Sequence, residues 1–308
     1  MKNKTLLFST PSYNYMADKV FDKTIFEKGE LEIKYFPDGE RYQRITSDVE
    51  NRNVVIIAGT ISDEEVLTLY DLASAIVKFD AKKLTIVIPY FGYSTMERAI
   101  KRGEIVTAKT RARLLSSIPN AKDGNHVIMI DLHSAGIPYY FEGDITTKHL
   151  YAKNVVKEAA LNLAKELNYS DFILASTDAG RAKWVESLAN DMEVSGAFVL
   201  KRRISGSNTQ VTAINADVKG KLVIIYDDMI RTGGSLINAA QAYKDAGAKE
   251  IAVISTHGLL PDESINKIKN SGLFKKVIVT DSHPNAVKLE SEFLNIVTVS
   301  DIIKREIS

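Results

Sequence analysis

Short runs of apolar, β-branched residues recur along the chain and alternate with longer segments of helical periodicity. Runs typical of buried strands span residues 54–58, 84–88, 127–130, 172–175, 197–200, 222–226, 251–255 and 277–280. Amphipathic segments at 64–79, 107–118, 150–167, 181–190 and 236–246 predict helices. This alternation predicts an α/β protein whose sheets are mostly parallel and flanked by helices.

One pattern of strand, helix and strand occurs twice in the sequence. Val55-Ile56-Ile57 and Val223-Ile224-Ile225 begin the two copies, about 168 positions apart, and Gly92 and Gly258 follow their second strands. The repeat predicts two tandem α/β domains. We expect residues 1–146 to form the N-terminal domain, rejoined by about 296–308, and residues 147–295 to form the C-terminal domain.

The segment 221–247 carries the clearest chemical signal in the chain. Its strand is expected to end at an acid pair, Asp227 and Asp228. A loop of Thr232, Gly233, Gly234 and Ser235 follows, and we expect Ser235 to cap the next helix and Gly247 to follow its last turn. Such a loop presents backbone N–H groups and the helix dipole to an anion, so it predicts a phosphate site.

The acid pair narrows the choice of ligand, since two carboxylates beside a phosphate repel it unless they bind hydroxyls or a cation. A sugar phosphate satisfies both demands, with ribose 2- and 3-hydroxyls donating to Asp227 and Asp228. The alternative is an ordinary turn with a solvated acid pair. Gly59 and Thr60 stand at the corresponding first-half positions, so only one half carries the pair.

Composition excludes several classes of function. The chain has 308 residues, a net charge of +1 and no cysteine, which removes disulfides, thiolate catalysis and cysteine-based zinc sites. Neither nucleic acid nor an anionic membrane is favoured as a partner. No stretch approaches the roughly 18 apolar residues of a membrane helix, and we expect a cytoplasmic location.

Three other stretches each leave two interpretations open. Phe36-Pro37-Asp38-Gly39-Glu40 is typical of a hairpin turn, or presents two acids on a loop tip. His133 follows a buried strand at the edge where ligands of α/β proteins lie, or is a structural histidine. Asp178 also follows a strand and suits either a hard cation such as Mg²⁺ or the cap of a helix.

A fourth stretch combines three cations with a small polar segment. Lys201-Arg202-Arg203 precedes residues 204–208, Ile-Ser-Gly-Ser-Asn, which we interpret as a mobile loop. Alone, the cations favour a solvated hairpin. In a phosphoryl-transfer enzyme they favour a clamp on the transferring group.

The segment 227–235 resembles the phosphoribosyl-diphosphate (PRPP) motif of phosphoribosyltransferases and ribose-phosphate diphosphokinases. Taken in order with the other four stretches, and with Thr256-His257-Gly258, it makes nearly the whole chain similar to the ribose-phosphate diphosphokinase (PRPP synthetase) family. The resemblance implies two phosphoribosyltransferase-like domains. It also implies transfer of the diphosphoryl group of MgATP to O1 of ribose 5-phosphate, and self-association into a dimer or larger oligomer.

The resemblance also implies a role for each matching residue. Phe36, Asp38, Gly39 and Glu40 become ATP contacts that reach a neighbouring subunit's site. Arg98 or Arg102 is a further candidate, as a replacement for ATP-binding residues of the family that this chain lacks. His133 and Asp178 become magnesium-linked residues, and Lys201 and Arg203 the catalytic cations. The implied ribose 5-phosphate site consists of Asp227, Asp228, Arg231, Thr232, Gly233, Gly234 and Ser235.

The chain departs from the family pattern at the nucleotide loop and at three other positions. Tyr93-Ser94-Thr95-Met96-Glu97 stands where the family has Tyr-Ala-Arg-Gln-Asp, so the Arg and Gln that contact ATP are absent there. Arg231 replaces an Asp, and Gly136 and Lys148 replace a Gln and an Asp. Two alternatives follow: a non-catalytic PRPP synthetase-associated regulatory subunit, or a phosphoribosyltransferase, which generally has one domain and lacks the Lys-x-Arg stretch.

Overall fold

The computed structural model describes residues 4–205 and 208–308, and from 201 to 213 it describes the backbone alone. The chain divides into two units, Met1–Tyr151 with Ser300–Ser308, and Ala152–Val299. Within the described ranges, no helix is both long and apolar enough to cross a membrane.

The first unit contains a six-stranded parallel sheet in the order β2-β1-β5-β6-β7-β8 and a separate antiparallel hairpin, β3-β4. Its strands are β1 Thr5–Ser9, β2 Phe26–Lys28, β3 Leu31–Tyr35, β4 Arg41–Ile45, β5 Asn53–Ile57, β6 Lys83–Ile88, β7 Asn125–Ile130 and β8 Thr146–Leu150. Its helices are α1 Asn14–Val20, α2 Asp63–Lys78, α3 Thr107–Ser116 and, from the end of the chain, α9 Ser300–Ile307.

The second unit contains a seven-stranded sheet in the order β11-β10-β9-β12-β13-β14-β15, parallel except for the β10–β11 pair. Its strands are β9 Ile173–Ser176, β10 Ser195–Ser205, β11 Asn208–Ile214, β12 Leu222–Ile230, β13 Glu250–Gly258, β14 Val277–Thr280 and β15 Leu294–Val297. Its helices are α4 Lys153–Glu166, α5 Ala182–Asp191, α6 Gly234–Asp245, α7 Ser264–Asn270 and α8 Pro284–Lys288.

The two sheets repeat the same core order, which confirms the predicted duplication. β1-β5-β6-β7-β8 in one unit corresponds to β9-β12-β13-β14-β15 in the other. The predicted α/β class, with mostly parallel sheets flanked by helices, is also confirmed. β12 shows why: Val223 and Ile225 pack into one apolar cluster and Leu222 and Ile224 into another, so both faces of the strand are buried.

Helix α2 shows how local sequence signals set the limits of an element. Ser62 accepts a hydrogen bond from the backbone N–H of Glu65 at 3.2 Å, and three acids occupy the first turn. Its buried residues, Val66, Leu69, Leu72, Ala73 and Ile76, recur with helical spacing.

Two local predictions in the second unit were wrong. β12 does not end at the acid pair but continues to Ile230, because Met229 and Ile230 still pair with β13. Ser235 does not cap α6: the helix begins at Gly234, two residues earlier than predicted, and its N-cap is Gly233 at a φ of 73°. A Cβ at Gly233 would lie 2.6 Å from Ile268 Cγ1, so close packing as well as the positive φ explains the glycine. Gly247, at a φ of 94°, does follow the last turn as predicted.

Residues 204–208, which we expected to form a mobile loop, lie partly in strands instead. β10 continues to Ser205 and pairs antiparallel with β11, which begins at Asn208. Gly206 and Ser207 lie outside the described residues, as do the side chains of Lys201 and Arg203. The predicted role of these two cations therefore stays a prediction.

Candidate active site

Neighbouring strands of the second sheet carry polar residues to its carboxyl edge. β9 and β12 are parallel neighbours with Ser176 opposite Tyr226, so the residues that follow Ser176 lie beside Asp227 and Asp228. Thr177 Oγ1 donates to Asp227 Oδ2 at 3.2 Å, and the backbone N–H of Asp228 donates to Asp227 Oδ1 at 3.0 Å. The acid pair is therefore a built feature of the fold and not a solvated turn.

Burial and mutual repulsion shape the chemistry of the pair. Burial, the charge of Asp228 and a hydrogen bond with its carboxyl raise the pKa of Asp227 to about 7, against the opposing effects of Arg181 and Thr177. Two adjacent carboxylates in a buried site share a proton more readily than they carry two charges. Asp227 therefore keeps its proton to a higher pH than an exposed carboxyl does.

A cation that the sequence did not single out contacts this pair. The guanidinium NH2 of Arg181 lies 2.6 Å from Asp228 Oδ2, and the Asp228 side chain is only 5% exposed. The sequence pattern assigns Arg181 only to the predicted helix 181–190. The available signal was a cation shortly after one apolar run, in a chain whose acid pair follows another such run.

The loop that follows β12 enters α6 as the phosphate prediction requires. Arg231, Thr232 and Ser235 are exposed, Gly233 is buried, and Gly234 begins the helix. Backbone N–H groups at such a helix start, with the dipole behind them, are suited to an anion. α6 is held to the sheet by Tyr243, whose hydroxyl donates to the Ser176 carbonyl at 3.0 Å.

Asp178 caps a 3-10 turn, Ala179–Arg181, by accepting from the backbone N–H of Gly180 at 2.8 Å. The capping interpretation is thus confirmed. Asp178 still lies directly after β9 while it caps the turn, and its carboxylate oxygens are the kind of ligand that Mg²⁺ prefers. Among the described residues, no group of three or more His, Cys, Asp or Glu side chains is arranged to hold a metal ion.

In the first unit, His133 lies in the loop after β7 and is half-buried. The loop begins with Asp131 at a φ of 39°, and its Leu132 N–H donates to Nε2 of His149 on β8 at 2.9 Å. His149, which we did not single out, therefore fixes the loop that carries His133.

Phe36, Asp38, Gly39 and Glu40 form the exposed tip of the β3–β4 hairpin. The Phe36 N–H donates to the Glu40 carbonyl at 2.8 Å, and Gly39 has a φ of 92°. The hairpin interpretation of this stretch is confirmed. Its proposed contact with a nucleotide remains a prediction.

Arg98 lies in the loop between β6 and α3 with its side chain 75% exposed, and its Nε is 3.5 Å from Glu97 Oε1. The start of this loop is anchored, because the Tyr93 hydroxyl and the Arg111 guanidinium donate to the same Asp63 oxygen at 2.8 and 2.7 Å. These contacts lower the pKa of the Asp63 carboxyl, with the Tyr93 hydrogen bond as the largest cause.

The first unit's counterpart of the acid-pair site is filled by protein. At Gly59 a Cβ would lie 2.4 Å from the Tyr13 ring, and at Gly92 it would lie 1.9 Å from the Thr60 carbonyl oxygen. Tyr13 and Thr60 are fully buried. Three acids follow in the first turn of α2 and disfavour an anion there.

Comparison with known proteins agrees with this architecture. Residues 5–118 match the family model described as the N-terminal domain of ribose phosphate pyrophosphokinase. Residues 177–308 match the model described as the phosphoribosyl synthetase-associated domain. A solved structure of phosphoribosylpyrophosphate synthetase from Mycobacterium smegmatis has a TM-score of 0.86 at 22% identity and covers 99% of this chain and 98% of its own, which shows the shared fold.

Two curated relatives extend the match over the full length. The ribose-phosphate pyrophosphokinase of Fusobacterium nucleatum subsp. nucleatum is 30% identical over 307 residues, covering 99% of this chain and 94% of that protein. That of Gloeobacter violaceus is 31% identical over 300 residues, covering 96% and 87%. The repeated strand order and the loop that enters α6 define a duplicated α/β protein with a candidate sugar-phosphate site. The chain belongs to the ribose-phosphate pyrophosphokinase family.

Proposed function

We propose that the protein is a ribose-phosphate diphosphokinase, which converts ATP and ribose 5-phosphate to AMP and PRPP. The main support is the Asp227–Asp228 pair followed by a glycine loop that enters α6, within a chain that matches the family over its full length. O1 of the sugar attacks the β-phosphorus of ATP and loses its proton. The bond from that phosphorus to the α,β-bridging oxygen breaks, and AMP leaves with the oxygen.

In this proposal, different residues of the second unit bind different parts of ribose 5-phosphate. Asp227 and Asp228 accept the ribose 2- and 3-hydroxyls, and the loop Arg231–Ser235 binds the 5-phosphate through N–H groups, hydroxyls and one cation. The strand-end geometry that joins Thr177, Asp227 and Asp228 supports this assignment. Lys201 and Arg203 are proposed to stabilise charge on the transferring group.

Mg²⁺ is the proposed cofactor, and Asp178 and His133 are the residues we link to it. The carboxylate of Asp178 has the hard oxygen donors that Mg²⁺ prefers, whereas imidazole is a softer donor, so Asp178 is the stronger candidate. When bound with the nucleotide, Mg²⁺ neutralises phosphate charge.

Self-association is also proposed, through the β3–β4 hairpin. The end of β3 and the tip expose two adjacent aromatic side chains, Tyr35 by 61% and Phe36 by 52%, and aromatic residues are enriched at protein interfaces. Light scattering after size exclusion measures the mass, and a monomer at micromolar concentration contradicts this part. We also propose that the protein is cytoplasmic, which cell fractionation tests.

The activity is tested by incubating purified protein with ribose 5-phosphate, Mg²⁺ and ATP and measuring AMP and PRPP. Omitting ribose 5-phosphate controls for simple ATP hydrolysis. No AMP and no PRPP, from protein that still binds ribose 5-phosphate, would favour the regulatory-subunit alternative. Nucleotide formed from PRPP and a free base would instead favour a phosphoribosyltransferase, which the duplicated fold disfavours.

A further inference from the structure

A contact between Arg181 and Asp228 joins the loop after β9 to the acid pair on β12. The NH2 to Oδ2 distance is 2.6 Å, with the arginine side chain 23% exposed and the aspartate side chain 5% exposed. Ion pairs on the surface contribute little to stability. The Asp228 carboxylate is buried, however, so the loss of its cationic partner would leave a charge that water does not stabilise.

The backbone around Arg181 is fixed by its neighbours. Asp178 caps the turn through the Gly180 N–H, and the Ser176 hydroxyl donates to the Asp178 carbonyl at 2.6 Å. Behind the turn, Trp184 at the start of α5 stacks on Tyr226 of β12, with ring centroids 3.9 Å apart and an interplanar angle of 12°. The backbone on both sides of Arg181 is therefore anchored, on one side to the end of β9 and on the other to β12.

The contact sets the charge of the pocket. The Arg181 guanidinium places a positive charge beside two acids whose mutual repulsion and burial favour protonation of Asp227. The groups that act on Asp227 are Asp228, Arg181 and the uncharged Thr177. On the neighbouring strand β13, Ser255 lies opposite Asp227, and His257 lies opposite Met229 with its Nδ1 2.8 Å from Ser282 Oγ.

We propose that Arg181 is a positioning residue for ribose binding: it holds Asp228 charged and in one orientation, ready to accept the sugar hydroxyls. This inference rests on the proposed function. Its physical reason is that a buried carboxylate without a cation takes up a proton, and a protonated pair has lost one of its acceptors. A planar guanidinium also fixes the carboxylate in a way that a lysine ammonium does not.

The test is calorimetric titration of ribose 5-phosphate into protein that holds Mg²⁺ and α,β-methylene-ATP, between pH 6 and 9, so that no turnover is needed. The variants are Arg181→Gln, Arg181→Lys and a matched control, Arg113→Gln. The control removes an ion pair of the first unit, in which Arg113 Nε lies 2.8 Å from Glu142 Oε1 and both side chains are more than half exposed.

We expect Arg181→Gln to weaken ribose 5-phosphate binding about tenfold or more at pH 7. The loss should shrink toward pH 9, because alkali restores the carboxylate that the missing cation no longer holds. Arg181→Lys should recover part of the affinity, and Arg113→Gln should match the wild type throughout. In a separate titration, every variant should bind α,β-methylene-ATP as the wild type does.

An equal loss for sugar and analogue, or the same loss at every pH, would overturn the proposal and leave Arg181 a fold residue. Wild-type affinity in Arg181→Gln would overturn it as well, as would a wild-type protein that binds no ribose 5-phosphate. If the wild type binds the sugar but forms no PRPP with ATP, the proposed reaction fails while the titration still decides the role of Arg181.

Discussion

Asp228 is the residue on which the ribose assignment depends most directly. Replacing it by Asn keeps the shape and removes the charge, so ribose 5-phosphate affinity should fall by about 1.5–3 kcal/mol, the range for a hydrogen bond to a charged group. Affinity for ATP should change little. Calorimetry with each substrate measures both, and equal losses would contradict the assignment.

The raised pKa of Asp227 predicts how the stability of the folded protein depends on pH. The pKa of the Asp227 carboxyl is raised from 3.8 to about 7, so the folded protein holds this proton more tightly than the unfolded chain, and stability falls as the pH rises from about 4 to 7. Asp227→Asn should therefore raise the unfolding free energy at pH 8, by on the order of 2–4 kcal/mol, and change it little at pH 4. Urea unfolding at the two pH values measures this difference; an equal effect at both would mean that the carboxyl is not desolvated.

Residue-scale signals in the sequence located the pocket but not all of its members. Asp227, Asp228 and Thr232–Ser235 were identified because acids and glycines at the end of an apolar run have few structural uses. Arg181 was missed because its partner lies 47 positions away, 228 minus 181, and only the pairing of β9 with β12 brings the two together.

The hairpin β10–β11 is the element on which the catalytic prediction rests. Lys201→Ala and Arg203→Ala should each lower turnover by about two orders of magnitude, the scale for one preorganised electrostatic stabiliser. Affinity for the substrates should suffer less. Arg202→Ala removes the same charge from the same strand and serves as the control; equal losses in all three variants would indicate a general charge effect.

Helix α8 predicts a loss of stability in acid. His283 accepts from the Asn285 N–H at 3.2 Å at the helix start, and burial, followed by the charges of His257 and Lys288, lowers its pKa from 6.5 to about 4. The folded protein then resists protonation that the unfolded chain accepts, so stability falls as the pH drops from 6.5 to 4. At pH 5 the loss should be about 2 kcal/mol, and His283→Asn, which keeps an acceptor at the cap, should abolish it in thermal unfolding.

At the scale of elements, most of the apolar strands were predicted, but β1 was missed although its Leu6, Leu7 and Phe8 are buried, and the polar β8 and the three-residue β2 were missed as well. β8 has the sequence Thr-Thr-Lys-His-Leu and carries no apolar run; it is a strand because its backbone pairs with β7. β2, of three residues, is defined in the same way by β1. Edge strands such as these form because their backbone pairs with a neighbouring strand, and a local sequence pattern does not contain that information.

For the whole molecule, the changed nucleotide loop predicts relaxed donor selectivity. Thr95 and Met96 replace a guanidinium and an amide of the family pattern, and Met96 is 44% exposed. GTP should therefore replace ATP within about tenfold, a gap of roughly 1.4 kcal/mol. Activation by inorganic phosphate and inhibition by ADP should be weak.

Initial rates with ATP and GTP, each with and without phosphate, test both expectations. Strict use of ATP together with an absolute phosphate requirement would show that another residue, such as Arg98 or Arg102, replaces what Thr95 and Met96 lack.

The filled counterpart site in the first unit limits what the duplicated fold can bind there. A side chain larger than glycine at position 59 collides with Tyr13, while a smaller residue at position 13 opens a hole in the core, and Gly92 is held just as closely against Thr60. An acid at position 59 would therefore have to displace Tyr13 from the core, and repacking of this kind lowers stability. The two halves of the chain are thus not interchangeable as ligand sites, although they share one strand order.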